Sequence, residues 1–209
     1  MKKVSIPESE TMNAAEHDSL QKIVQSLSFA GKDMKTLVIC ACDRKTNVTA
    51  LTGKLARIKA AEGSRVLILR AVEDGAPDAA QQKGLNHYLA GYCGPEEILY
   101  ETDTKGVSII PAGARAANPE LLLSNGDLRQ LIDTCKDQFD WVLIETAPLT
   151  RLDTSAVHFA ACSDGVVFAI KDRATFGYHL QIAKKAVKQT GCPIIGCIVL
   201  DAKKPKAYA

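Results

Sequence analysis

A chain of 209 residues, 46% hydrophobic and 24% charged, has the length and composition to bury one full globular core. Its 26 Lys and Arg against 24 Asp and Glu leave a formal charge of +2, which gives no polyelectrolyte field for nucleic acid. No apolar run reaches about 18 residues and no signal-peptide core is present, so the expectation is a cytoplasmic chain, neither membrane-spanning nor secreted.

In chain order, residues 1–15 are polar and aperiodic, and a loose N-terminal arm is expected there. Within 16–29, Leu20, Ile23, Val24 and Leu27 follow helical spacing. KTLVICAC (35–42) is a short apolar run of the kind that becomes a buried parallel strand. A polar loop (43–48) leads into a predicted helix over 49–61, ended by Gly63. RVLILRA (65–71) is the second strand, 84–90 a short helix stopped by Gly91, and VSIIP (107–111) the third strand. Helical stretches over 118–124 and 127–138 precede WVLIET (141–146), the fourth strand. GVVFAI (165–170) and PIIGCIVL (193–200) follow, joined by a long helix over about 176–190.

Continuous apolar strands alternating with helices define an α/β fold, a three-layer α/β/α domain around a mostly parallel sheet of six to eight strands. One domain is expected over 16–201, with a basic tail over 202–209. Ligands of such sheets bind beyond the carboxyl ends of the central strands. Function is therefore sought at 42–49, 70–74, 145–151 and Asp201.

Seven cysteines show no zinc spacing and read as buried thiols of a reducing compartment. Cys40 and Cys42 are expected to face opposite sides of their strand. His17, His87, His158 and His179 are dispersed without ligand spacing. Asp153 and Asp164 read as capping or turn residues, and Phe139 and Trp141 as side chains packed under a helix. The run Lys203-Lys204-Pro205-Lys206 reads as a solvated tail.

At the strand ends the order of features resembles a known family. GLNHYLAG (84–91), IIPAGARAANPELLLS (109–124), FDWVLIETAPL (139–149), CSDGVVFAIK (162–171) and GCIVLD (196–201) are similar, in the right order, to segments of the bacterial tyrosine kinases. These are ParA/MinD-type P-loop ATPases that work with polysaccharide co-polymerases in capsule and exopolysaccharide production. The resemblance runs from about Asp18 to Asp201 and implies a P-loop NTPase-like fold.

The same alignment marks departures. A working phosphate loop reads G-x-x-x-x-G-K-[ST]: glycines let backbone N–H groups close on phosphate, Lys neutralises charge and the hydroxyl holds Mg²⁺. Here Lys45 and Asn47 stand at the family's glycine positions, Val48 replaces the Lys, and Thr49 alone persists. The family's Asp-x-Asp at the next strand end reads Arg70-Ala71-Val72, Glu145 replaces an Asp, and Asp201 stands where the nucleotide base is usually met by Asn. The family's ring-forming Glu-x-x-Arg-x-x-Arg falls on Asp18, Gln21 and Val24, which argues against ring assembly. Its tyrosine-cluster tail is reduced to Tyr208.

Phosphoryl transfer depends on positioning and charge. The expectation is therefore a catalytically degenerate kinase-like protein with a vestigial pocket (Lys45, Asn47, Val48, Thr49, Arg70, Val72, Glu145, Asp201), no catalytic residue, no metal and no cofactor. Weak ATP/Mg²⁺ binding stays open, as does the alternative of an atypical active ATPase or tyrosine autokinase; a ParA/MinD-like positioning factor is disfavoured by the same loop. Arg70 and Glu145 are expected to form an ion pair where metal and phosphate would lie; the other reading sends Arg70 to water and Glu145 to a local backbone group. The resemblance implies a partner, the cytoplasmic segment of a membrane polysaccharide co-polymerase, and a location at the inner membrane through it. No nucleic-acid partner is expected.

Overall fold

The strands β1 (Lys3–Val4), β2 (Thr36–Ala41), β3 (Val66–Arg70), β4 (Tyr100–Thr102), β5 (Val107–Ile110), β6 (Trp141–Glu145), β7 (Gly165–Lys171) and β8 (Ile194–Leu200) make one sheet. Their order is β1-β4-β5-β3-β6-β2-β7-β8, and every neighbouring pair is parallel except β4 with β5. This computed structural model describes residues 3–4, 12–31, 33–72, 82–124, 127–150, 153–172 and 175–201. Most of the expected arm, Asp74, Arg151 and the basic tail with Tyr208 lie outside the described residues.

Side-chain parity explains the layers. Along β2, Leu37, Ile39 and Ala41 enter a core with α1 (Ala14–Ala30) and α2 (Val48–Ala61). Val38, Cys40 and Cys42 enter the opposite core, roofed by α3 (Leu85–Leu89), α4 (Pro119–Leu123), α5 (Asp127–Gln138), α6 (Ser155–Ala160) and α7 (Gly177–Lys188). The α/β/α architecture is thus the expected one. Cys40 and Cys42, however, face the same side, not opposite sides: the strand repeat is two residues, so i and i+2 share a face. Burial holds both thiols protonated, Cys40 at about 11 and Cys42 higher still, and neither is a nucleophile at neutral pH.

Three further differences have local causes. α1 begins inside the expected arm, because the Asn13 side chain accepts the Glu16 N–H at 2.9 Å and caps it. β1, also in that arm, pairs with β4. β4 and α6 span three and six residues, too short for a periodic signal.

Asp153 does form a turn, accepting from the Ser155 N–H and hydroxyl at 3.0 and 2.7 Å. Asp164 does more than turn the chain. Its carboxylate accepts from the Lys35 N–H (3.0 Å), the Thr36 N–H and hydroxyl (2.8 Å each) and Lys136 Nζ (2.9 Å), clasping the amino end of β2. Trp141 packs in the α1/α2 core with the Lys59 ammonium 5.0 Å from its ring centroid, and Phe139 lies in the other core.

Two of the segments that resemble the kinase family, 84–91 and 109–124, dock on each other. The N–H groups of Leu85 and Asn86 donate to the Pro111 and Ala112 carbonyls at 2.8 and 3.0 Å, and Asn86 Nδ2 reaches the Ala114 carbonyl at 2.9 Å. This contact sets the α3/α4 wall beside the carboxyl ends of β3 and β6.

Candidate functional site

The order β3-β6-β2 brings three strand ends together. Arg70 and Glu145 are register partners across β3 and β6. By parity Arg70 follows Val66 and Ile68, and Glu145 follows Trp141 and Leu143, so both side chains point to the face that α2 covers. Arg70 Nε donates to Glu145 Oε2 at 3.2 Å, with the side chains only 3% and 1% exposed. The other carboxylate oxygen, Oε1, accepts a hydrogen bond from the Thr49 hydroxyl in the first turn of α2. The expected ion pair is present, and the hydroxyl that would ligate a metal in a phosphate loop is turned onto it.

The loop between β2 and α2 is organised by an acid that sequence reasoning left unassigned. Asp43 Oδ1 accepts from the Lys45 N–H at 2.8 Å and the Thr46 hydroxyl at 3.1 Å, while Oδ2 accepts from the Thr175 hydroxyl ahead of α7. Burial alone would raise this carboxyl; the hydrogen bonds from Thr175, Lys45 and Thr46 outweigh it and hold the group below its usual range. An Asp opening a polar strand-to-helix loop is the residue type that bonds its own backbone two residues on, an Asx-turn, and that is the signal that could have found it.

The remaining candidates separate. Val48, where the family has its Lys, opens α2 at 6% exposure and packs in the α1/α2 core. Asn47 caps the same helix, accepting the Ala50 N–H at 3.4 Å. Lys45 points outward into a pocket of about 220 Å³ that it shares with Lys54, Lys171 and Asp201. Asp201 sits at φ 57° and pairs with Lys171 at 2.8 Å. Val72 lines a different cleft, about 540 Å³, with Asn86, Asn118 and Asp153. Of the eight candidates, only Thr49, Arg70 and Glu145 are joined in one network.

The positions that the resemblance sets against the family's ring pattern lie on α1. Val24 is fully buried in the core, and Asp18 is spent on an exposed i,i+4 pair with Lys22 at 2.7 Å. Among the described residues no group of three or more His, Cys, Asp or Glu could hold a metal ion, and no helix is long and apolar enough to cross a membrane.

A mostly parallel sheet with helices on both faces, and a strand–loop–helix unit at the central strand, defines an α/β domain of the P-loop NTPase-like class. Within that class its homologues are bacterial tyrosine-protein kinases. Tyrosine-protein kinase CpsD of Streptococcus agalactiae is 28% identical over 180 residues, covering 83% of this chain and 78% of its own. Tyrosine-protein kinase ptk of Acinetobacter johnsonii is 25% identical over 197 residues, 91% of this chain and 27% of that longer protein. The kinase domain of Escherichia coli tyrosine kinase ETK superposes with a TM-score of 0.86 at 20% identity, over 100% of this chain and 84% of that one, a likeness of fold. No protein-family model matches the chain.

Proposed function

We propose that this chain is a catalytically degenerate member of the tyrosine-kinase lineage, a non-catalytic partner or regulator in exopolysaccharide biosynthesis and export. The observation that carries the reading is the buried Arg70–Glu145–Thr49 network. A nucleotide-bound metal needs a free carboxylate and a free hydroxyl; here the carboxylate is engaged by the Arg70 guanidinium and the Thr49 hydroxyl by that same carboxylate. Asp43 takes up loop donors, and Val48 supplies core packing in place of a charge. ATP and Mg²⁺ do not fit this residue set: their negative charge would meet two carboxylates and no lysine at the helix start. Its partner on this reading is the cytoplasmic segment of a membrane polysaccharide co-polymerase, which holds the chain in the cytoplasm at the inner membrane.

Isothermal titration of the full chain with ATP and Mg²⁺ tests the first half. No binding up to millimolar nucleotide is expected; micromolar binding lost in Thr49→Ala would overturn the reading. Pull-down with co-polymerase cytoplasmic segments tests the second half, and failure to capture any of them counts against it.

One observation favours a second reading, an atypical ATPase or autokinase. Lys45, Lys54 and Lys171 all line the pocket between the loop and the β7 and β8 ends; Glu16 holds Lys54 and Asp201 holds Lys171, which among the described residues leaves Lys45 to meet an anionic ligand there. Nucleotide binding lost in Lys45→Ala, with Thr49→Ala unaffected, would select it.

A further inference from the structure

Helix α7 reads GYHLQIAKKAVK and turns Ala183 and Val187 into the core. On its opposite side Tyr178, Gln181, Lys184, Lys185 and Lys188 are all exposed, and at 3.6 residues per turn they fall within an arc of about 120°. At the helix start Phe176 and Tyr178 are 69% and 56% exposed, two of the largest apolar surfaces the molecule leaves in water.

The charge of the exposed α7 face is one-sided, the Asp43 carboxylate at the helix start being buried and bonded to Thr175. α7 carries three lysines and no acid, and the two elements packed beside it, α6 (SAVHFA) and β8 (IIGCIVL), contain no Asp or Glu. Residues 173–200 include no acidic residue. Elsewhere Lys22, Lys54, Lys59 and Lys136 each hold a carboxylate within 3.0 Å. Among the described residues no carboxylate pairs with Lys184, Lys185 or Lys188. On the sheet face that α7 covers, edge strand β8 adds exposed Cys197 and Val199, register partners of Phe168 and Ile170.

We propose that the α7 face is a contact surface for an anionic lipid bilayer, with the three lysines against headgroup phosphates and Phe176 and Tyr178 seated in the interfacial region. Lysines on one helix face with aromatic residues at its end are the composition of an interfacial contact. Each lysine near an anionic leaflet adds attraction that salt screens. A bilayer fits better than a nucleic acid for two reasons. Phe176 and Tyr178 stand exposed beside the lysines, and a bilayer interface takes up such aromatic side chains whereas a duplex backbone does not. The last 37 residues hold seven basic and one acidic residue, whereas the preceding 172 hold 19 and 23, so the body would repel a polyanion that wrapped it. The inference does not depend on the kinase-like reading, since it needs neither nucleotide nor protein partner.

Vesicle co-sedimentation of the purified full chain is the test, with 30% phosphatidylglycerol in phosphatidylcholine against pure phosphatidylcholine. Binding to the anionic vesicles only, weakened by salt, is expected. K184E/K185E/K188E should lower it on the order of a hundredfold, and F176S/Y178S should lower it at unchanged net charge, both variants keeping wild-type circular dichroism. No binding, or equal binding to neutral vesicles, overturns the proposal. So does full loss in K203S/K204S/K206S with the α7 variants unaffected, which would move the contact to the tail. Equal affinity for duplex DNA that survives F176S/Y178S would make this a nucleic-acid face instead.

Discussion

Arg70 Nε and Glu145 Oε2 lie 3.2 Å apart on register-paired strand ends, both nearly excluded from water, and Thr49 closes the carboxylate from the other side. Removing one partner of such a pair leaves an uncompensated buried charge, whereas replacing both by apolar groups removes the desolvation cost along with the attraction. Arg70→Ala and Glu145→Ala should each cost about 3–5 kcal/mol in urea denaturation at pH 7. Arg70→Met/Glu145→Leu together should recover most of that loss. Single variants within about 1 kcal/mol of wild type would mean that the pair does not hold the strand ends.

The contact between the 84–91 and 109–124 segments makes a sharper demand. A Cβ on Gly84 would stand 2.3 Å from the Pro111 carbonyl oxygen and 2.4 Å from the Gly113 nitrogen, both backbone atoms that no rotamer change can clear. Gly113 itself sits at φ +77°, and a Cβ there would meet His87 Nδ1 at 2.7 Å. Gly84→Ala should therefore lose about 2–4 kcal/mol, read as a lowered urea midpoint. Gly63→Ala, strained by its φ of +92° but with open space around it, should lose less.

These glycines show what the sequence made legible. The five family-like segments were readable because each answers a strong local demand: a buried run, a positive φ, a close backbone approach. The α/β/α layering followed from the apolar runs in the same way. At the site, the departures from the family's phosphate loop and acidic pair were readable only through the resemblance, whereas the opposition of Arg70 and Glu145 could be read from their places at two strand ends. What stayed hidden depends on contacts far apart in sequence. Asp43 reaches Thr175 across 132 residues and Asp164 reaches Thr36 across 128, and neither separation leaves a periodic trace. β4 and α6 are held by tertiary packing and carry too few residues for a pattern.

Asp164 and Asp43 give the fold an acid limit. Burial would raise each carboxyl, but the bonds from Lys136, Thr36 and Lys35 on one, and from Thr175, Lys45 and Thr46 on the other, hold both below their usual range. A depressed carboxyl binds fewer protons folded than unfolded. Its contribution is therefore complete above the unfolded value near 4 and is lost as pH falls through the folded value. Asp164→Asn should cost about 1–3 kcal/mol at pH 7, and its stability should fall less steeply than wild type between about pH 4 and 2. Denaturant midpoints across that range provide the check; parallel slopes would remove Asp164 from the account.

Val48 offers the most direct test of whether the phosphate loop can be restored one residue at a time. It is 6% exposed and packs against the α1/α2 core, so a lysine there must carry its ammonium out of apolar surroundings. Val48→Lys should lose about 1–3 kcal/mol of stability and gain no measurable affinity for ATP and Mg²⁺ by calorimetry, because Arg70 still holds Glu145 and Asp43 still holds the loop. Restoring the family's residues together (Lys45→Gly, Asn47→Gly, Val48→Lys, Arg70→Asp and Val72→Asp) releases Glu145 from its ion pair and rebuilds the acidic pair. Binding should appear only in that combination. Affinity in Val48→Lys alone would show that the missing lysine was the whole defect and that the Arg70–Glu145 pair is no obstacle.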